Sequence, residues 1–383
     1  MANPTPCGRT RRSFLWEMGG GFLALPLVDL LARDGFFNKT AHANETPYVP
    51  GKTHYKSAAK HCVFLFMNGA PSQVDTFDPK PALDKYDGTP FSGKTKVGSN
   101  NRPVGKLMKS PFRFDKHGES GLEISELFPH TAKHADDLCV LRAMYTDTAA
   151  HSSGCLQLNS GSPLTGRPSL GSWLSYGLGT LNDSLPSYVV MTDPRGGPIG
   201  GAPNWGAGYM PGKYQGTLFR SGESPLLDLE TPAGVTSATR PQDTELAARI
   251  LSYELAYRMQ TEAADAVDLG KEDQQTLDMY GLRNPLTADF GRKCLITRRL
   301  IEKGVRFIQL YSGGGHIEAT WDGHNDCITN HKTHAGETDQ PIAALMTDLK
   351  HRGLWDETLL VWGGEFGRTP TSEGVGKPGR DHN

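Results

Sequence analysis

Histidine and carboxylate side chains recur just after the apolar runs of this sequence, where they could bind a divalent metal. The sharpest local element is Asp322-x-His324, and Asp381-His382 lies in the final five residues. Glu365 follows two glycines at the end of the apolar run "TLLVW". Because an ionised carboxylate beside apolar residues is costly unless it is paired, a bound cation would explain Glu365. Imidazole mixed with carboxylate suits zinc, manganese or iron, and a carboxylate-rich subset could hold calcium.

Other polar residues also follow apolar runs, and several of them could be metal ligands or could have structural roles. Asp75 comes soon after the first apolar run and is a further candidate ligand. His316, beside three glycines, could bind metal or could cap a backbone carbonyl. His331 and His334 precede a predicted helix and could be ligands or simply exposed side chains.

Five apolar runs predict the strands that would position these groups. They are the residues 61–69, 138–142, 187–193, 305–311 and 358–362. Continuous apolar runs of this length are typical of strands buried on both faces of a parallel sheet. Amphipathic or capped segments predict helices between them, at 150–161, 168–179, from 243 onward, 287–303 and 340–353. A glycine-rich stretch, 196–222, has no convincing period and is predicted to be an ordered loop.

Alternating strands and helices predict an α/β domain with a mainly parallel sheet, flanked by helices and joined by right-handed crossovers. In such sheets ligands bind beyond the carboxyl ends of the strands. The candidate metal ligands follow strands, so the sequence predicts one site at that edge.

Composition limits the partners. The 383 residues contain 40 Lys+Arg and 42 Asp+Glu, for a formal charge of -2, and no basic block that would bind a phosphate backbone. We therefore expect no nucleic-acid partner. Six cysteines are present, and Cys7 lies in the N-terminal segment described next. The remaining five are scattered, which argues against a disulfide framework.

The N-terminus predicts export. Arg11-Arg12, then Phe14-Leu15, precede a modest apolar run, and Ala41-His42-Ala43 supplies an A-x-A cleavage site. We predict a twin-arginine signal peptide at 1–43, recognition by the twin-arginine export machinery, and a periplasmic or secreted domain at 44–383. No later run reaches the roughly 18 apolar residues of a membrane span, so none is expected after signal cleavage.

Several longer segments carry a family resemblance: "GAPSQVDTFDPKP", "GRPSLGSWLSYGLG", "DLKHRGLWDETLLVWGGEFGRTP" and "GRDHN". The chain resembles an uncharacterised, twin-arginine-exported bacterial family with a sulfatase-like fold, a domain of unknown function assigned to the alkaline phosphatase superfamily of metal-dependent hydrolases. The resemblance implies that Asn68 stands at the usual place of a metal-binding aspartate, with Asp75 as a nearby substitute. It also implies that Glu365-Phe366 replaces an Asp-His pair, keeping a carboxylate ligand and losing an imidazole.

The resemblance also locates the nucleophile position. Sulfatases carry the pattern C/S-x-P-x-R ahead of a helix that ends in Thr-Gly. Counting back from "NSG" places His151 there, followed by Ser152 and Ser153, without the proline or the arginine. A formylglycine sulfatase is therefore disfavoured. Either serine could be activated by metal coordination at the helix N-terminus; His151 could instead be a ligand, with metal-bound water as nucleophile; or the serines could only cap the helix.

Together these features predict an exported metal-dependent hydrolase of sulfate or phosphate esters, acting on a small-molecule or glycan ester. The alternative is a catalytically inactive protein of the same fold that binds a glycan or another anionic ligand. The predicted catalytic residues are His151, Ser152 and Ser153, and the predicted metal ligands are Asp75, Asp322, His324, Glu365, Asp381 and His382. The cofactor is a divalent metal: zinc, manganese or calcium. Because "GRDHN" is predicted to be a loop after a strand, we expect a C-terminally truncated chain.

Overall fold

A computed structural model describes residues 58–92, 104–220, 263–374 and 377–383. The predicted signal peptide at 1–43 and the predicted helix from Asp243 lie outside them. The strands are β1 (His61–Met67), β2 (Phe114–His117), β3 (Leu122–Ser125), β4 (Tyr188–Met191), β5 (Thr217–Phe219), β6 (Phe307–Ser312), β7 (Thr358–Gly363), β8 (Arg368–Gly374) and β9 (Lys377–His382). The α-helices whose bounds are described are α1 (Gln73–Thr76), α2 (Ala82–Tyr86), α3 (His151–Ser160), α4 (Leu170–Leu178), α5 (Gln274–Met279), α6 (Ala288–Glu302) and α7 (Cys327–His351).

Five of these strands form one parallel sheet in the order β5-β4-β6-β1-β7. Strand β1 lies between β6 and β7, and its Cys62 is level with Phe307 of β6 and Leu359 of β7. Two antiparallel hairpins, β2-β3 and β8-β9, stand outside this sheet. The predicted α/β class with a mainly parallel sheet is therefore confirmed.

Successive side chains of a strand point to opposite faces of the sheet. Strand β1 is buried on both of these faces. Val63 and Leu65 of β1 belong to one hydrophobic cluster, which also includes Leu295 of α6 and Leu345 of α7. Phe66 belongs to a second cluster, with Cys155 of α3. Helices thus cover both sides of β1, which explains why its sequence is apolar throughout.

The order of the strands brings the candidate site together. Strands β6, β1 and β7 are neighbours, so the loops that follow their carboxyl ends meet at one edge of the sheet. The hairpin β8-β9 follows β7 directly and adds residues from the C-terminal segment to the same edge.

Two predicted elements differ from the structure. Residues 138–142 do not form a strand: the chain leaves a 3-10 helix at Thr131–Asp137 and continues irregularly, with Leu141 69% exposed and Met144 70% exposed. A short apolar run carries no information about which strand edge could pair with it. The loop predicted at 196–222 contains the edge strand β5, which pairs with β4.

The C-terminal part also needs correction. Helix α7 begins at Cys327 and not near Gln340, and it contains Pro341 in its interior. Proline is commonest at a helix start, which is why the sequence suggested a later beginning. The segment "GRDHN" was expected to be a loop, but it lies largely in β9, paired with β8.

Among the described residues, no helix is both long enough and apolar enough to cross a membrane.

Candidate metal centre

Four side chains meet at the carboxyl edge of the sheet, each directing a potential ligand atom at the others. They are His151, Asp322, His324 and His382, and their ligand atoms all lie within 4.8 Å of one another. His151 Nε2 lies 3.1 Å from Asp322 Oδ2, and His324 Nε2 lies 3.1 Å from Asp322 Oδ1. His382 Nε2 lies 2.7 Å from His324 Nε2 and 3.7 Å from Asp322 Oδ1. Tetrahedral coordination with bonds of about 2.0–2.2 Å separates ligand atoms by roughly 3.4 Å, which these distances bracket.

The four potential ligands come from three places in the fold. His151 is the first residue of α3, and His382 is the last residue of β9. Asp322 and His324 lie in the loop between β6 and α7. A strand-end loop, a helix start and a hairpin thus converge on one point.

Close backbone contacts hold the loop after β6 against the end of β1. The Trp321 N–H donates to the Asn68 carbonyl at 2.9 Å. Gly69 has φ +100°, and a Cβ there would lie 2.7 Å from the Asp322 backbone nitrogen. Only glycine meets both conditions, so Gly69 allows Asp322 to approach the strand end.

All three imidazoles use Nδ1 for a hydrogen bond to an oxygen. His151 Nδ1 lies 2.5 Å from Glu365 Oε1, and His324 Nδ1 lies 2.8 Å from Glu373 Oε2. His382 Nδ1 lies 2.6 Å from the carbonyl oxygen of Ala149, which can only accept. Placing the proton on Nδ1 in each ring satisfies these oxygens and leaves three Nε2 lone pairs facing Asp322. Metal-binding histidines characteristically bond their second nitrogen to a carboxylate or carbonyl in this way.

The centre contains buried polar atoms without a hydrogen bond. His151 Nε2 and Asp322 Oδ1 both lack a partner with acceptable hydrogen-bond geometry, and both residues are buried, at 8% and 7% exposed. Each has an ion-pair contact, His151 Nε2 with Asp322 Oδ2 at 3.1 Å and Asp322 Oδ1 with Arg368 at 2.6 Å, but buried polar groups usually also form hydrogen bonds, so a further partner would fit here. A cation among the four ligands would satisfy both, and the donor set fits one.

The electrostatics of the centre favour positive charge. Burial disfavours protonation of His151, but the neighbouring Asp322 and Glu365 outweigh it and raise the pKa of this imidazole. Burial likewise acts to raise the pKa of Asp322, but His151, His382 and Arg368 hold it well below the usual range. Asp322 is therefore ionised, as a metal ligand must be.

Glu365 supports a ligand and does not belong to the group of four. Its carboxylate is 1% exposed and accepts from the Gly69 N–H at 2.9 Å as well as contacting His151. The carboxylate at the mouth of β7 is therefore compensated by a backbone donor and an imidazole.

The other predicted site residues lie apart from the group of four. Asp75 is fully buried, and its two oxygens are 2.7 Å and 3.1 Å from the guanidinium nitrogens of Arg380. Asp381 accepts a hydrogen bond from the His382 backbone N–H at 2.7 Å. Ser152 is exposed and Ser153 is partly buried. Because successive helical residues are rotated by about 100°, neither serine shares the face of α3 that presents His151.

Three histidines with open interpretations are also placed. His316 is exposed. His331 and His334 lie within α7 and are buried; His331 Nε2 accepts from the Ser72 N–H at 2.8 Å, and His334 Nδ1 lies 2.9 Å from Glu337. Of the two open interpretations, the exposed one is therefore wrong for His331 and His334, because α7 starts earlier than predicted and buries them.

Sequence reasoning missed Glu373 and the Ala149 carbonyl. Glu373 lies in a segment without apolar pattern, and a backbone carbonyl leaves no residue-type signal.

Fold and site together define an α/β protein with a three-histidine, one-aspartate cluster at the carboxyl edge of a parallel sheet. The chain belongs to the family described as protein of unknown function (DUF1501), whose model matches residues 59–383. No curated protein and no solved structure gives a significant match.

Proposed function

We propose that this protein is an exported metal-dependent hydrolase of sulfate or phosphate esters, with a fold of the alkaline phosphatase and sulfatase type. The observation that carries the metal site is the common orientation of three imidazoles, each bonded through Nδ1 and each directing Nε2 at Asp322. A divalent ion there would act as a Lewis acid and neutralise charge that develops on the transferred group. The ester class rests on the family resemblance of the sequence.

The donor set narrows the choice of metal. Three imidazole nitrogens and one carboxylate suit zinc, and also manganese or iron, whereas calcium prefers six to eight oxygen ligands. We therefore favour zinc. Export by the twin-arginine machinery, with a periplasmic or secreted location, remains part of this proposal because that route carries proteins that have already folded.

Metal analysis paired with catalysis tests the proposal. The purified full chain is analysed by inductively coupled plasma mass spectrometry and assayed with 4-nitrophenyl sulfate and 4-nitrophenyl phosphate. Asp322→Asn should lose bound metal and activity together. Asp115→Asn is the matched control, because that carboxylate is 51% exposed and pairs with Arg113 outside the site. Wild-type protein without metal would contradict the proposal.

A binding protein without catalytic activity is the second candidate. It is favoured by Ser152 and Ser153, which do not share the face of α3 that presents His151, and by Phe366, which supplies an apolar ring beside the centre. Metal-loaded protein that hydrolyses neither ester, yet binds a sulfated glycan in calorimetry, would support this candidate.

A further inference from the structure

We propose that the centre binds a single divalent ion, because two buried arginines neutralise carboxylates that a second ion would need. This inference rests on the proposed function. Two-metal sites place their ions about 3.5–4 Å apart and need carboxylates that are free to ligate both. Here two buried carboxylates, Asp322 and Asp75, contact guanidinium groups.

The first arginine, Arg368, lies against the ligand carboxylate. It is 1% exposed, and its Nη2 atom is 2.6 Å from Asp322 Oδ1. Its Nε donates to the Ala70 carbonyl at 2.9 Å, and Nη1 donates to the Arg380 carbonyl at 3.2 Å. Nη2 donates to the Gly69 carbonyl. The guanidinium is thus fixed by backbone oxygens, and its positive charge would repel a second cation on Asp322.

This contact leaves Asp322 able to bind the first ion. Asp322 Oδ1 has no hydrogen-bond partner of acceptable geometry, although Arg368 is so close, because the donors of the guanidinium point to carbonyls. Arg368 therefore balances charge without occupying the lone pairs of the oxygen. One metal ion and one guanidinium can share this carboxylate.

The second arginine, Arg380, forms an ion pair with the carboxylate of Asp75. Arg380 and Asp75 are 1% and 0% exposed, and they form a bidentate ion pair through Nε and Nη2 of the arginine. Such charge-assisted pairs are geometrically specific and strong when buried. Asp75 is consequently committed to an arginine and cannot serve as a ligand without leaving that charge unpaired.

The nearby ring of Phe366 supplies no ligand. Its centroid lies 4.8 Å from the His151 ring and 4.6 Å from the His382 ring, and the residue is 7% exposed. Among the described residues, the four-residue cluster is the only group of three or more potential metal ligands. The side chains around the centre thus provide one coordination sphere.

Metal stoichiometry of the full chain tests this inference. Wild-type protein is loaded with excess zinc, dialysed and analysed for metal and protein content. We expect one zinc per chain. Two zinc ions per chain would overturn the single-ion inference while leaving the metal-dependent function intact, whereas no zinc would overturn the proposed function and this inference with it.

Two aspartates form a matched pair for the same measurement, because each is buried against an arginine that is 1% exposed. Asp75→Asn should keep one zinc per chain with affinity within two-fold of wild type, since Asp75 pairs with Arg380. Asp322→Asn should lower zinc occupancy severalfold. Loss of zinc from folded Asp75→Asn protein would overturn the inference; if that variant does not fold, the wild-type stoichiometry decides alone.

Discussion

His151 Nδ1 and Glu365 Oε1 are 2.5 Å apart and join the start of α3 to the loop after β7. Because Glu365 also accepts from the Gly69 N–H, its carboxylate is fixed and in turn orients the imidazole. Supporting carboxylates of this kind typically contribute 10–100-fold to metal affinity. Glu365 is thus a positioning residue for His151.

We expect Glu365→Ala to lower zinc affinity by about 10–100-fold, with a smaller loss for Glu365→Gln, which keeps an oxygen acceptor for Nδ1–H. Competition titration against a chromophoric chelator measures both. Glu357→Ala is the control, since Glu357 immediately precedes β7 but pairs with the exposed Lys60. Equal affinities for the alanine and glutamine variants would show that the oxygen acceptor does not matter.

The same reasoning applies to Glu373 and His324. Glu373→Ala should lower zinc affinity by about 10-fold or more, because His324 loses the acceptor that keeps its proton on Nδ1. Glu373→Gln keeps an oxygen acceptor for Nδ1–H and should retain most of the wild-type affinity. If the negative charge of Glu373 were what mattered, the glutamine variant would lose as much affinity as the alanine variant. Chelator competition on folded protein, confirmed by circular dichroism, gives the comparison.

These roles explain what the sequence could predict. The convergence of Asp322 and His324 was predictable because strand ends in a parallel sheet meet at one edge. His382 was expected there too, but it reaches the edge from the antiparallel hairpin β8-β9. His151 was located by its helix start, although its role there stayed open. The distinction between a ligand and its supporting carboxylate, as for Glu365, depends on distances of a few ångströms that spacing along the chain does not encode.

In the fold, too, features set by local sequence were predictable and features set by long-range contacts were not. The apolar runs of β1, β6 and β7 were predictable because they are buried on both faces. The chain at 138–142 has a similar composition but no strand partner, and pairing is a long-range property. Helix α7 is longer than predicted. Its interior Pro341 resembles a helix-start signal, so the sequence indicated too late a beginning.

Close packing of β9 against the loop that carries the ligands gives another prediction. A Cβ at Gly379 would lie 1.7 Å from the His324 carbonyl oxygen, whereas a Cβ at Gly374 would meet nothing within 4 Å. Gly379→Ala should therefore displace the His324 loop and lower zinc occupancy severalfold. Gly374→Ala, in the same hairpin, should bind zinc as wild type does; equal binding by both variants would contradict this close approach.

The serines of α3 test the nucleophile. Helical rotation turns Ser152 and Ser153 away from the face that presents His151, and the N-cap residue is Ala150, so neither serine caps the helix from that position. The double variant Ser152→Ala/Ser153→Ala should keep zinc stoichiometry and hydrolytic rate within about two-fold of wild type. A loss of more than about 100-fold in kcat with zinc retained would instead assign attack to a serine.

His331 makes the stability of the fold depend on pH. Burial lowers the pKa of this imidazole from its ordinary 6.5 to about 4, more than the nearby Asp75 raises it. Above pH 6.5 the ring is neutral in both states and its contribution is fully present. As the pH falls from 6.5 to about 4, the unfolded chain takes up a proton that the folded chain refuses, and stability is lost.

A pKa difference of this size corresponds to about 3 kcal/mol lost across that interval. His331→Gln removes the titrating group. The glutamine side-chain oxygen can replace His331 Nε2 as the acceptor of the hydrogen bond from the Ser72 N–H. Urea unfolding of wild type and variant at several pH values between 7 and 4 isolates the effect, because all other titrating groups are common to both. As the pH falls, the unfolding free energy of the wild type should decrease more than that of the variant. Parallel pH profiles would show instead that the pKa of His331 is the same in the folded and unfolded states.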